Sequence, residues 1–367
     1  MDQDKHLNEE EKSLLRSISL NRIMIPVLLG VGVVLIMVIR QLDLTELSNF
    51  RWDMVTLGWL SIAILMYVAR HLFYAYRLYH ITDKAFNFWK CIELIVIWEF
   101  SSAISPTSVG GAGVAFLLLS QERLPGEKTV TAVLYTMVLD TLFLLAGMII
   151  LALILGPISI RPDATNYNAL EGYGITLLSV CFFMFVYGFI FYYGLFINPG
   201  ATKKMLFGLS KIKFLGRFKD NLRKTAVNVV IASDELKRKS MKFHVISFLT
   251  TAGAWTTRFL ALNFIILALI KDTPGGIWNH FIIFTRAIAM HIITSFSPTP
   301  GGAGVAEYLF GGFFSDYIPS GLGSLVALIW RLITYYPYLI AGAIIIPIWI
   351  RSLILRRKRG ENAVYGD

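Results

Sequence analysis

Ser297-Pro298-Thr299-Pro300-Gly301-Gly302-Ala303-Gly304-Val305-Ala306 repeats, with few changes, the earlier stretch Ser105-Pro106-Thr107-Ser108-Val109-Gly110-Gly111-Ala112-Gly113-Val114-Ala115. Each interrupts a strongly apolar run with prolines and glycines, residues that end or weaken helices. At membrane depth irregular backbone is tolerated only where protein or a water-filled cavity surrounds it. Matched interruptions in the two halves of one chain point to a transport site at a repeat interface.

The flanking sequence is that of a polytopic membrane protein. Of 367 residues, 56% are hydrophobic and 16% charged, with a mean hydropathy of +0.62; soluble domains carry about 25% charged residues. Six runs can cross a bilayer whole, at about 23–39, 54–70, 128–155, 172–197, 243–270 and 321–350. Ile23–Ile39 reads as a retained first helix, since no small-residue cleavage site follows it. The breaks lie in two further apolar regions, about 88–119 and 281–314. No soluble domain of ordinary size fits between the runs, which argues against a separate catalytic domain. Cys91 and Cys181 sit in apolar segments and read as small buried hydrophobes, with no metal or disulfide spacing. No Lys-Ser/Thr follows the glycines, so they do not form a nucleotide P-loop. No catalytic residue, metal or cofactor is expected.

Orientation follows from basic residues, which accumulate on the cytoplasmic side. The connection 198–242 carries twelve Lys or Arg, and the tail adds Arg351, Arg356, Arg357, Lys358 and Arg359. Both are therefore expected inside, together with the N-terminus, 71–87 and 120–127. The first broken region then enters from the cytoplasm and the second from outside. The fold class that follows is all-α and polytopic, an inverted-topology repeat with about six full transmembrane helices and two Pro/Gly-broken re-entrant hairpins. Its parts are 1–53 (tail and first helix), 54–155 (repeat one), 156–242 (linking helix and basic amphipathic segment), 243–350 (repeat two) and 351–367 (basic tail). The arm Gly110–Leu119 would span only about 15 Å as helix, half the hydrocarbon core, which favours hairpins meeting near mid-membrane.

Eight charged residues fall at membrane depth: Arg70, Glu93, Glu99, Asp140, Arg258, Arg286, Glu307 and Arg331. Each costs at least about 2.5–3.5 kcal/mol at the bilayer centre unless paired or hydrated, so a shared polar cavity is the economical arrangement. Aligning the motifs of the two halves places Glu99 opposite His291, Asp140 opposite Arg331 and Arg70 opposite Arg258. Arg286 is a candidate partner for Glu307. Glu99, Asp140, Arg286, His291 and Glu307 form the expected charge network, with the carboxylates as candidates for proton carriage. Glu93 and Arg70 lie near segment ends, where long side chains can snorkel.

A glycine cluster opening a helix lets backbone N–H groups approach an anion at the positive end of the helix dipole. Gly110, Gly111, Gly113, Gly301, Gly302 and Gly304, with the hydroxyls of Ser105, Thr107, Ser297 and Thr299, are candidates for binding a phosphate headgroup beside Arg258 and Arg331. The competing use of such glycines is close helix packing.

At these residues the chain resembles the flippase-like integral membrane family related to the transmembrane domain of lysylphosphatidylglycerol synthases. The run at 298–307 is similar to the family's most recognisable signature, and 106–113 to its first-half counterpart. The resemblance covers nearly the whole chain. It implies translocation of a phospholipid or lipid-linked anionic intermediate between leaflets of the cell (inner) membrane, with a lipid-modifying enzyme as a further partner. No synthase domain follows Ile350 in this sequence. The alternative is a membrane enzyme or accessory subunit in lipid-linked glycosyl or aminoacyl transfer. Segment 198–242 mixes its cations with Leu206, Leu209, Phe214, Phe218 and Leu222 and reads as amphipathic helix on anionic inner-leaflet lipid, with no nucleic-acid partner.

Overall fold

The computed structural model describes residues 52–105, 108–212, 219–271, 273–297, 299, 305–319 and 322–358. The expected helix at 23–39 lies outside the described residues, as do Thr107, Gly301, Gly302 and Gly304. Among the described residues the regular structure is helical throughout. Five helices among the described residues are long and apolar enough to cross a membrane.

The first, α1 (Met54–Ile81), starts at Asp53, whose carboxylate accepts from the Thr56 backbone N–H at 2.8 Å. It runs about three turns beyond Arg70, where the uninterrupted apolar run ends. Tyr67, Arg70, Tyr74, Arg77, Leu78 and Ile81 recur at helical spacing along its buried face. The connection expected at 71–87 is thus reduced to a turn in which Asp83 and Lys84 take positive φ (55° and 62°).

Helices α2 (Phe88–Ile104) and α3 (Ser108–Gln121) fold back on each other across the first break. Asn87 caps α2 through the Lys90 N–H at 2.7 Å, and Lys90 Nζ reaches Glu122 at 3.0 Å, so the two far ends meet. Beyond α3 come α4 (Gly126–Leu155), widened by a π turn at Thr131–Tyr135, and α5 (Tyr167–Ile197). The short α6 (Pro199–Leu209) and α7 (Lys219–Arg238) follow. Ala226, Val229, Ala232 and Leu236 are buried on one face of α7, while Arg223, Lys224, Lys237 and Arg238 are exposed.

Helix α8 (Met241–Leu269) lies antiparallel to α1. Lys271 meets Asp53 at 2.6 Å at one end, and the His80 ring meets the Phe243 carbonyl at 3.2 Å at the other. Their crossing is close enough that a Cβ on Gly253 would come within 2.8 Å of the Phe73 ring. Helices α9 (Ile277–Thr294) and α10 (Val305–Phe313) form a second hairpin across the second break. Its open end is closed by Tyr317, which donates to Asn279 at 3.0 Å. The first hairpin therefore opens beside the Ile81 end of α1, and the second beside its Met54 end.

The run expected to cross whole at 321–350 is the fifth of these spans, Leu325–Arg356, and it is divided into α11 (Gly323–Thr334) and α12 (Tyr336–Lys358). They part at Tyr335, where φ −121° and ψ −56° leave the helical range. The Tyr335 hydroxyl donates to the Ala103 carbonyl at 3.0 Å, tying this break to the tip of the first hairpin. Phe100 of α2 fills the space left by the missing side chain of Gly342 on α12.

Candidate functional site

The two breaks line one cavity of about 400 Å³, walled by α1, α2, α4, α5, α8, α9 and the α11–α12 junction, with Ala112 of α3 and Ala306 of α10. Ser105 lines it from the first hairpin; Ser297 and Thr299 line it from the second. Ser297 and Thr299 join their hydroxyls at 2.8 Å. Four arginines (Arg70, Arg77, Arg258, Arg331) and two carboxylates (Glu99, Asp140) also line it, with His291.

Arg70 is 1% exposed, and both of its terminal nitrogens are hydrogen-bonded. It meets Glu99 at 2.7 Å, donates to Tyr67 and Tyr338 at 3.2 and 3.0 Å, and faces the Tyr67, Tyr74 and Tyr338 rings at 5.0, 4.6 and 5.4 Å. Three aromatic faces and a carboxylate compensate the charge that burial would otherwise penalise. This is not the snorkelling geometry of a segment end.

Two helical turns away, Arg77 contacts Asp140 at 2.5 Å, donates to Thr251 at 3.1 Å and lies over Tyr74, 4.6 Å from that ring. Asp140 also accepts from the Trp255 indole at 2.8 Å. Arg77, assigned from sequence to a connecting loop, is a buried cavity residue. The signal that could have found it is the Tyr67, Arg70, Tyr74, Arg77 series, which keeps to one helical face.

Arg258 differs. It is half-buried, and among the described residues it has no carboxylate or hydrogen-bond partner; its guanidinium lies over Trp255, 5.5 Å from the ring centre. His291 packs on the same indole at 4.7 Å. Arg331, 3% exposed, lies over Tyr335 at 5.3 Å.

Other expected site residues sit elsewhere. Helix α3 begins at Ser108, so Gly110, Gly111 and Gly113 lie within its first turns rather than ahead of it. Gly111 packs against Ser102, with no space for a Cβ, whereas a Cβ on Gly113 would meet open space. Neither lines the cavity. Arg286 is remote from it too. It is 0% exposed, contacts Asp316 at 2.5 Å and donates to the carbonyls of Phe313 and Ile158 at 2.9 and 2.7 Å. Its acidic partner among the described residues is Asp316, and the bond network pins the second hairpin to the turn after α4. The Glu307 side chain lies outside what the structure describes. Glu93 pairs with Lys90 at 3.0 Å near the hairpin's open end.

The family model described as the lysylphosphatidylglycerol synthase TM region matches residues 23–342. The chain belongs to this family. It is an integral membrane protein, and the match takes in both hairpins and every cavity residue named above. As a member of the lysylphosphatidylglycerol synthase TM region family it is also similar to a UPF0104 membrane protein of Archaeoglobus fulgidus, 24% identical over 315 residues. That alignment covers 81% of this chain and 89% of the relative. No solved structure matches the chain.

Proposed function

We propose that this protein translocates a phospholipid or lipid-linked anionic intermediate between membrane leaflets. One observation carries the reading: both hairpin tips and four arginines, Arg70, Arg77, Arg258 and Arg331, converge on one cavity. A charged headgroup crosses hydrocarbon only where polar protein groups replace water around it. The lining supplies such groups, with four arginines against two carboxylates among the described residues. Membership of the lysylphosphatidylglycerol synthase TM region family supports a lipid-related role.

In this reading the hairpins are re-entrant, enter from opposite faces and belong to an inverted repeat, and rocking of one half against the other opens the seat alternately. The basic connection and both termini face the cytoplasm of a cell whose inner membrane holds the protein. Helices α6 and α7 lie along the inner leaflet and gather anionic lipid. The chain itself performs no group transfer; a lipid-modifying enzyme supplies the lipid.

The test reconstitutes the full chain in liposomes with headgroup reporter lipids. Wild type moves reporter between leaflets, and Arg258→Ala and Arg331→Ala lose at least about tenfold in rate, the order expected for a lost charge-assisted contact. Equal rates in wild type, variants and protein-free vesicles would overturn translocation. Product formation from an activated sugar or aminoacyl donor would replace it with the enzyme reading.

A further inference from the structure

We propose that α7 is a self-pairing helix: its outward face meets the same face of a second copy of this chain, antiparallel, about a two-fold axis along the membrane normal.

The packing of α7 decides which residues look outward. Ala226, Val229, Ala232, Ser233 and Leu236 are buried. Asn228 lies against Gly126 at the start of α4 and leaves no room for a Cβ there. Lys239, just beyond the helix, meets Asp83 at 2.5 Å. With its rotation fixed in this way, α7 exposes Asp220, Lys224, Val227, Ile231, Asp234 and Arg238 on the opposite side. Their spacing alternates four and three residues, the interval of a stripe that one helix offers to another. Val227 and Ile231, 43% and 42% exposed, form its apolar centre.

The order of charges along the stripe selects the partner. Reversed end to end about Val229, the stripe meets its own complement. Asp220 stands opposite Arg238 of the second copy, Lys224 opposite Asp234, and Val227 opposite Ile231. Beside the stripe, Arg223 falls opposite Glu235. The two-fold repeats each contact, as an isologous interface requires. Parallel pairing would instead set each charge against its own kind. Among the described residues none of these charges is ion-paired within its own chain. The acids Asp220 and Asp234 argue against anionic lipid as the occupant of this stripe. Lipid is better suited to α6, which carries Lys203 and Lys204 and no acid, and to Lys219 and Lys237 on the flanks of α7.

The membrane makes the pairing feasible. Two copies inserted the same way are related by a two-fold along the membrane normal. Helix α7 packs against the start of α4 and the end of α5 together, so it runs across the ends of these spans and can lie beside its copy. The apolar contact is small, and confinement to one plane in one orientation raises the effective concentration.

The test uses the full chain in a Cys91→Ser, Cys181→Ser background. Val227→Cys and Ile231→Cys chains are reconstituted together, at low density, in phosphatidylcholine vesicles and mildly oxidised. One Val227–Ile231 contact stays intact, and a mixed disulfide dimer is expected. Arg238→Cys alone should give none, because antiparallel copies hold that position about 27 Å apart at about 1.5 Å per residue. Lys224→Glu in both chains should cut the mixed dimer at least about tenfold, and Asp234→Lys likewise. Combining the two should restore most of it. Pairs within one helix, which the same spacing allows, predict no such rescue, since each swapped charge would face its like four residues away.

Failure to form the mixed dimer, or a double variant as poor as the single ones, overturns the pairing. Dimers of Arg238→Cys with itself overturn the antiparallel arrangement. A monomer in which Lys224→Cys is shielded from aqueous maleimide only in vesicles containing phosphatidylglycerol gives the face to lipid instead. None of these outcomes depends on whether the vesicles move lipid between leaflets.

Discussion

Arg77 meets Asp140 through both carboxylate oxygens, at 2.5 and 3.4 Å. The contact joins the far half of α1 to α4, and Asp140 has a second tie to α8 through Trp255. Removing one member of a buried pair leaves the other charge uncompensated, at a cost of about 3–5 kcal/mol, whereas replacing both with apolar groups is often close to neutral. Asp140→Asn should therefore destabilise the protein by about that amount. Arg77→Met with Asp140→Leu should be nearer wild type than the single variant. Thermal or denaturant unfolding in detergent decides it; additive losses would show that the pair is not a unit.

Two glycines of the first motif, Gly111 and Gly113, separate packing from flexibility. Gly111 faces Ser102 with no space for a Cβ, and the Ser102 α-carbon lies only 3.0 Å from where one would stand. Gly111→Ala should push α2 and α3 apart and cost about 1–3 kcal/mol. Gly113 looks onto open space, so Gly113→Ala should be neutral or stabilise by up to about 1 kcal/mol through helix propensity. The measurement is the same unfolding assay, and equal losses would remove the packing explanation for this motif.

Acid sensitivity should report on Glu122, beyond the end of α3. Burial alone would raise its carboxyl, but Lys90 at 3.0 Å, Trp349 and Arg356 outweigh burial and hold it below the usual carboxylate range. A carboxyl depressed in the folded state adds stability fully above its unfolded value of about 4.3 and loses it as pH falls through the folded value. Glu122→Gln should therefore be less stable than wild type at neutral pH, by about 1–3 kcal/mol. The gap should close as pH is lowered below about 4. A gap of constant size across that titration would mean that the network contributes through packing alone.

Much of this architecture is legible in the sequence, and what is not has physical causes. The paired Pro/Gly breaks place Ser105, Ser297 and Thr299 on one cavity because broken backbone at depth must seek polar surroundings. Arg258, Arg331, Glu99, Asp140 and His291 follow them there, as the expense of buried charge requires. Arg77 escapes a hydropathy reading because arginine ends an apolar run, while the helix continues on tyrosine faces that shield the charge. Asp316 escapes it because it lies beyond the end of α10, where only the three-dimensional return of the chain brings it to Arg286. The break at Tyr335 has its mark in Pro337, two residues on, which has no N–H to continue the bonding of the preceding helix; a reading by hydropathy passes over it because the surrounding run stays apolar.

Opposed entry of the hairpins is open to direct test. Ser120 near the open end of the first hairpin is exposed, and a side chain added at Gly275, just before the second, would meet open space. In a Cys91→Ser, Cys181→Ser background, Ser120→Cys and Gly275→Cys can each carry a single reporter thiol. In right-side-out vesicles an impermeant maleimide should label Gly275→Cys at once and Ser120→Cys only after permeabilisation. This follows because the ion pair of Lys90 with Glu122 and the bond of Tyr317 to Asn279 put the two open ends at opposite ends of α1. Labelling of both from one face would mean that the hairpins do not enter from opposite sides. The cavity would then lack the two-sided construction that alternate opening requires.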